Sequence, residues 1–106
     1  MNIEELEAAG GFVQDELVKK ELVWKNGKTE HKFEVYIRPQ SFGAIETVQE
    51  IQKDKSKMAS YVSRQILDAQ GNPTIPYEKA VNLKPTLGTL LLQAINEVNS
   101  GADVKN

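Results

Sequence analysis

The sequence predicts an α+β fold in which one antiparallel β-hairpin packs against three to four α-helices. Apolar and charged residues alternate on both sides of Asn26-Gly27, and this pattern predicts the hairpin because both residue types tolerate the positive φ angles of tight turns. A helical apolar pattern that begins behind Pro85 predicts the last helix. Two strands alone are scarcely stable, so we expect the helices to cover the apolar face of the hairpin.

Residues 1–11 form an acidic segment in which Ile3, Leu6 and Ala9 recur at helical spacing, and Gly10-Gly11 is a natural helix stop. A helix of only about three turns is marginal in water. We interpret the segment as a frayed helix or terminal arm that orders only on contact with a partner.

The hairpin has one apolar face, made of Leu22, Trp24, Phe33, Val35 and Ile37. Its turn is predicted to be two residues or longer, because the residues that follow Asn-Gly are also polar. A proline at position 39 removes a ladder donor and ends the second strand.

A second helix is predicted to begin at Ser41, whose hydroxyl can cap the first turn. Its apolar stripe is Phe42, Ile45, Val48 and Ile51. The charged residues 53–57 are either a solvated helical turn or a flexible link between two helices, and we favour the link.

Helical periodicity returns from Met58 to Leu67 and stops at the turn residues Gly71-Asn72-Pro73. A short extended stretch and a single helical turn after Pro76 lead into the last helix. These boundaries divide the chain into an N-terminal arm or short helix (1–11), a single α+β domain (12–100) and a polar C-terminal tail (101–106).

Composition excludes several classes of protein. The chain has 106 residues, 13 Lys and Arg, 15 Asp and Glu, and no Cys. This length fits one domain, and the lack of Cys excludes a disulfide framework and fits a reducing cytoplasm. A net charge of −2 argues against nucleic-acid binding. The apolar runs are too short to span a membrane, and the acidic N-terminal segment does not resemble a signal peptide.

Catalytic chemistry finds little support in the sequence. His31 is the only histidine and is predicted to be an exposed strand residue, so no histidine cluster can bind a metal. Neighbouring carboxylates, as in Glu4-Glu5 or Glu46 with Glu50, fall on predicted polar helix faces, which lack the burial or charged partner that acid–base catalysis needs. The glycines form no phosphate-binding motif. We therefore expect no catalytic, cofactor-binding or metal-binding residues.

Apolar side chains give a stronger indication of function, because some of them are candidates for binding a protein partner. Tyr36 lies on the hairpin face opposite the apolar one, and Leu92 lies beside the main stripe of the last helix. Together with Val23 they form either a patch for a protein partner or a second core layer. The exposed edge of the hairpin also offers a place where a partner strand can pair.

Four stretches, in this order and spacing, resemble the tail assembly chaperones of long-tailed (siphovirus-type) bacteriophages. The first stretch is a run of small residues that leads into a charged strand, and the second is a return strand that ends in Arg-Pro before a helix beginning with Ser and an aromatic residue. The third is a turn with an acidic residue followed by Gly-x-Pro, and the fourth is a Leu-rich helix that begins at Pro. The stretches are Ala8-Ala9-Gly10-Gly11-Phe12-Val13 with Leu22-Val23-Trp24-Lys25, then residues 35–43, 66–73 and 83–99.

The resemblance implies a non-enzymatic protein of the host cytoplasm that binds the tape-measure protein and recruits tail-tube subunits before the tail polymerises. It also implies absence from the mature virion and, in many members, a longer product made by a programmed frameshift. A self-complementary patch would favour a homo-oligomer. The candidate partner-binding residues are Tyr36, Phe42, Leu91 and Leu92, although Phe42 and Leu91 also fit the core. The alternative is a structural minor tail or head–tail connector protein that stays in the virion.

Overall fold

A computed structural model describes residues 2–11, 16–40 and 56–100. These residues form two strands and four helices, which confirms the predicted α+β class with one antiparallel hairpin. In chain order the elements are α1 (Ile3–Ala8), β1 (Val18–Asn26), β2 (Thr29–Ile37), α2 (Lys57–Gln65), α3 (Tyr77–Ala80) and α4 (Pro85–Ser100).

The hairpin turns tightly at Gly27-Lys28. β1 and β2 pair in one antiparallel register from Val18 opposite Ile37 to Asn26 opposite Thr29, so two residues connect the strands. Gly27 has a φ of +66°, as the first central position of a type II′ turn requires. The turn is therefore not longer than two residues, and it lies one position later than Asn26-Gly27, because Asn26 still pairs within β1 and Gly27 alone supplies the positive φ.

One face of the hairpin builds the core with α2 and α4. Along β1 the half-buried and exposed residues alternate, and β2 becomes buried at Val35 and Ile37. The buried cluster consists of Val35, Ile37, Val62, Ile66, Leu91, Ala94 and Ile95. Burying a side chain of this size contributes roughly 1.5–3 kcal/mol, so the cluster is the main reason that the hairpin stays on the helices.

Specific contacts fix both ends of α2, and the helix ends earlier than its apolar periodicity predicts. The Ser56 hydroxyl accepts a hydrogen bond from the Ala59 N–H at 3.1 Å and caps the first turn. At the other end Ile66 already has extended dihedral angles, and Leu67 pairs with β2. The prediction that the helix continues to Leu67 is therefore wrong, because the strand edge competes for the backbone groups of that residue.

The remaining helices agree with their sequence signals. Tyr77–Ala80 forms the single turn expected after Pro76, and α4 begins at Pro85. The arm contains α1 at Ile3–Ala8, and none of the residues of α1 is buried. The helix predicted from Ser41 and residues 53–55 of the link predicted at 53–57 lie outside the described residues, whereas Ser56 and Lys57 do not belong to a link, because they cap and begin α2. Of the helices that are described, none is long and apolar enough to cross a membrane.

Candidate functional site

An apolar groove of about 470 Å³ runs beside the outer edge of β2, and we call it the edge groove. The hairpin forms one wall, the segment 66–75 forms the other, and α4 forms the floor. Its principal lining side chains are Trp24, Phe33, Tyr36, Ile66, Leu67, Ile75, Leu87 and Leu91.

The backbone of β2 is open along this groove. Tyr36 donates its N–H to the Leu67 carbonyl at 3.0 Å, and its own carbonyl accepts the Leu67 N–H at 2.8 Å. Backbone groups alternate in direction along a strand, so the N–H and C=O of Glu34 and Lys32 point to the same side as those of Tyr36. Among residues 2–11, 16–40 and 56–100, no backbone group bonds to them from that side. Within the described ranges, the outer edge of β2 beyond Tyr36 is therefore unpaired.

A tight turn holds Leu67 against β2. The Asp68 carboxylate accepts the backbone N–H groups of Gln70 and Asn72, both at 2.9 Å. Gly71 donates its N–H to the Asp68 carbonyl at 2.9 Å and has a φ of +85°. This turn brings Pro73 opposite Leu67, so the groove wall depends on the acidic Gly-x-Pro sequence.

Polar contacts fix α4 beneath the hairpin. The Trp24 indole N–H donates to the Thr86 hydroxyl at 2.9 Å, near the start of α4. Nearer the C-terminal end of that helix, the Lys20 ammonium lies 2.9 Å from the Glu97 carboxylate. Because the later β1 residue contacts the start of α4 and the earlier one contacts its end, α4 runs antiparallel to β1. It presents Leu87 and Leu91 to the groove.

The outer face of the hairpin is charged. The Lys19 ammonium lies 3.1 Å from the Glu34 carboxylate, and this hydrogen bond and the negative charge of Glu34 raise the pKa of Lys19 above 10.5. Glu34 lies opposite Glu21, and both remain largely exposed. A strand added at the edge would therefore meet mixed charges on one face and the apolar groove on the other.

A second groove, of about 330 Å³, lies between α2, α3 and α4, and we call it the helix groove. Its apolar wall includes Val62, Leu83 and Leu92. Met58 and Val81 stand at its rim with 65% and 47% of their surface exposed. No other large apolar residue of α2 or α4 is as exposed as Met58, so among the described residues the groove presents an apolar surface.

The structure separates the candidate partner-binding residues that the sequence suggested. Tyr36 and Leu91 both line the edge groove, although Leu91 is only 2% exposed and belongs to the core. Leu92 lines the helix groove instead. Phe42 lies outside the described residues. Val23 is exposed on the outer hairpin face and lines neither groove, so Val23, Tyr36 and Leu92 do not form one patch.

Sequence reasoning missed the second wall of the edge groove. The sequence patterns place Leu67 at a helix end and Ile75 in a short extended stretch, and neither pattern indicates that the two residues line one wall. The turn residues Gly71-Asn72-Pro73 were the available signal, but they do not specify which strand the returning segment meets. That pairing depends on the tertiary contact with Tyr36.

Titratable groups show no arrangement typical of catalysis in the described ranges. His31 stacks on Trp24 with 5.5 Å between ring centroids, on the exposed end of the hairpin. Burial raises the pKa of Tyr61, whose hydroxyl donates to the Gln40 side-chain oxygen. No group of three or more His, Asp or Glu side chains there is placed to hold a metal ion.

Comparison with protein families gives one clear result. A family model described as "Phage tail assembly chaperone, TAC" matches residues 4–99. Comparison with curated proteins and with solved structures gives no match. The matched residues span most of the sequence and include both strands, both grooves and almost all of α4. The chain therefore belongs to the phage tail assembly chaperone family.

Proposed function

We propose that this chaperone binds the tape-measure and tail-tube proteins in the host cytoplasm and is released before the virion is complete. It does so without enzymatic activity, by pairing the outer edge of β2 with an extended segment of a partner. The observation that carries this proposal is the open backbone of Lys32 and Glu34 beside the edge groove.

Strand addition suits a chaperone that must bind a partner protein and later release it. Main-chain hydrogen bonds to the edge are independent of the partner's side chains, while an adjacent apolar groove selects alternate residues of the added strand. The groove offers Phe33, Ile75 and Leu87 for that selection. A short edge and a shallow groove give moderate affinity. The conformational entropy that the partner segment loses when it becomes a strand offsets part of the free energy of contact.

Leu67 shows how an added strand would bind. It pairs with Tyr36 through both backbone groups, but the next outward-facing residue, Glu34, has no such backbone partner in the described part of the chain. A partner segment would continue from Leu67 toward the hairpin tip, opposite Glu34 and Lys32. Its alternate side chains would enter the groove above Leu87.

A proline scan of the two hairpin edges tests this mode of binding. Glu34→Pro removes an N–H that points out of the sheet, so it leaves the β1–β2 ladder intact. Glu21→Pro is the matched control, since Glu21 lies directly opposite Glu34 and its N–H points out at the other edge. Both variants remove a carboxylate near Lys19. Circular dichroism would verify that both fold.

The assay is co-purification with the tape-measure and tail-tube proteins encoded beside this chain, together with mass spectrometry of purified virions. We expect the unchanged chain and Glu21→Pro to capture a partner, Glu34→Pro to lose it, and the virions to lack the chain. Equal capture by both variants would rule out pairing at the β2 edge. No capture, with the chain retained in virions, would favour a structural tail or connector protein.

A further inference from the structure

The outer face of β2 carries one basic side chain between two acidic ones. Glu30, Lys32 and Glu34 share this face, because successive side chains alternate along a strand. The Glu34 carboxylate lies 3.1 Å from the Lys19 ammonium, and the Glu30 carboxylate lies 3.7 Å from the Lys25 ammonium. In the part of the chain that the structure describes, no carboxylate lies within ion-pair distance of the Lys32 ammonium.

The register of the hairpin explains why Lys32 differs from its neighbours. Glu30 lies directly opposite Lys25, whereas Lys32 lies opposite Val23. Val23 brings no charge to this face, and 44% of its surface is exposed. Opposite charges on directly facing residues stabilise a pair of strands. The cross-strand ion pair that Lys32 lacks within the hairpin can therefore come from a strand added on its other side.

The backbone of Lys32 determines where such an ion pair would form. Its N–H and C=O point out of the hairpin on the same side as those of Tyr36, which pair with Leu67. A residue of an added strand that pairs with Lys32 has its Cβ about 4.5–5.5 Å away and its side chain on the same face. A carboxylate at this position reaches the Lys32 ammonium.

The two neighbours of that carboxylate in the added strand point to the apolar side. One of them lies beside Phe33, which lines the edge groove together with Leu87. The other lies beside His31, whose ring stacks on Trp24 with 5.5 Å between the centroids. Aromatic rings pair favourably with β-branched side chains across neighbouring strands. Both positions therefore suit an apolar residue.

We propose that the β2 edge selects an apolar–acidic–apolar segment of the partner protein, with its acidic residue opposite Lys32. The segment runs antiparallel to β2, as Leu67 does where it pairs with Tyr36. This inference rests on the proposed function and adds the chemistry of the partner segment to it. Lys32 determines specificity, because a basic residue at the same position would place two ammonium groups on neighbouring strands and repel.

Binding of two synthetic peptides, followed through NMR chemical shifts of this chain, tests the selection. Both peptides are blocked at their ends. One is Ser-Thr-Val-Glu-Val-Thr-Ser, and the other has Lys in place of the central Glu. We expect the Glu peptide to shift the amide signals of Lys32 and Glu34 and to bind about three- to tenfold more tightly than the Lys peptide. Added salt should reduce this preference, because both charges are exposed to solvent.

Charge variants of the chain assign the preference to one side chain. Lys32→Glu should reverse the preference, and Lys32→Gln should abolish it. Lys79→Glu is the matched control, because it changes the net charge as Lys32→Glu does, on an exposed residue of α3 outside the edge groove. The control should keep the preference for the Glu peptide. Equal binding of both peptides, binding of neither, or a preference that survives Lys32→Glu would overturn the proposal.

Capture of the tail proteins separates this inference from the proposed function. Loss of capture in Glu34→Pro together with full capture by Lys32→Glu would overturn selection by Lys32 and leave strand addition at the β2 edge in place. The expected peptide preference without capture of either tail protein would support the selection and contradict the proposed partners.

Discussion

Tyr36 and Leu67 exchange both of their backbone hydrogen bonds, at 3.0 and 2.8 Å, although 30 positions separate them in the chain. Through this pair the segment that follows α2 covers the end of β2, and no other residue in the described part of the chain pairs with the rest of its outer edge. An open edge next to an apolar groove is a known route to pairing with another chain. The short bridge at Leu67 therefore both limits the edge and marks where a partner strand would begin.

The turn behind Leu67 gives the first prediction. Gly71→Ala should lower the free energy of unfolding by about 1–2 kcal/mol, because Gly71 has a φ of +85°, a backbone conformation that is strained for any residue with a Cβ. Chemical denaturation would measure the loss. Gly88→Ala is the control, since the same change inside α4 should stabilise by about 0.5–1 kcal/mol. Equal effects at both glycines would contradict this account.

A buried amide gives the second prediction. Gln40 is 8% exposed, and its side-chain oxygen accepts the Tyr61 hydroxyl. Tyr61→Phe should cost about 1–3 kcal/mol at neutral pH, because it leaves a buried acceptor unpaired. Thermal unfolding would measure the loss, and Tyr77→Phe is a control on a tyrosine whose hydroxyl accepts the exposed Ser56 N–H. A loss from Tyr61→Phe no larger than that from the control would contradict this account.

The pH dependence of the same residue gives the third prediction. Burial raises the pKa of Tyr61 above 10.0 in the folded chain, so the unfolded chain loses this proton first as the pH rises. The stabilisation is complete below pH 10.0 and decreases as the pH rises through the higher folded-state pKa. The free energy of unfolding of the unchanged chain should therefore fall above pH 10.0 more steeply than that of Tyr61→Phe. Titration of Lys19 is common to both proteins, and parallel curves would contradict the prediction.

Local signals predicted most of the fold. Asn26-Gly27 and the alternation around it predicted the hairpin, and Pro85 predicted the first residue of α4. The groove could not be predicted in the same way, because Leu67 fits both the apolar stripe of a helix and an extended pairing with β2. Only the contact with Tyr36 decides between the two. The apolar pattern of α4 likewise does not reveal that Leu91 faces the hairpin core while Leu92 faces a groove.

Adjacent leucines of α4 give the fourth prediction. Leu91 is 2% exposed within the core, so Leu91→Ala should cost about 2–5 kcal/mol. Leu92 is half-buried beside an open groove, so Leu92→Ala removes fewer contacts and should cost clearly less. Urea denaturation would compare the two variants, and Gln93→Ala provides an exposed control on the same helix. A larger loss at Leu92 would show that the helix groove is filled in solution.

The hydrogen bond between Trp24 and Thr86 gives the fifth prediction. Its length is 2.9 Å, and it joins β1 to the first turn of α4 near the mouth of the edge groove. Trp24→Phe keeps an aromatic ring but removes the donor, and Thr86→Val keeps the shape but removes the acceptor. We expect a coupling free energy of about 0.5–1.5 kcal/mol between the two changes in a double-mutant cycle.

The reason for this coupling is that one hydrogen bond is lost in either single variant and cannot be lost twice. Pairing Trp24→Phe with Thr89→Val is the control cycle, because Thr89 is exposed on α4 and lines the helix groove instead. Those two changes should be additive. If the Trp24 and Thr86 changes were additive as well, the indole would not hold α4 against the hairpin. The Lys20–Glu97 ion pair, at 2.9 Å, would then be the main polar contact that positions this helix beneath the groove.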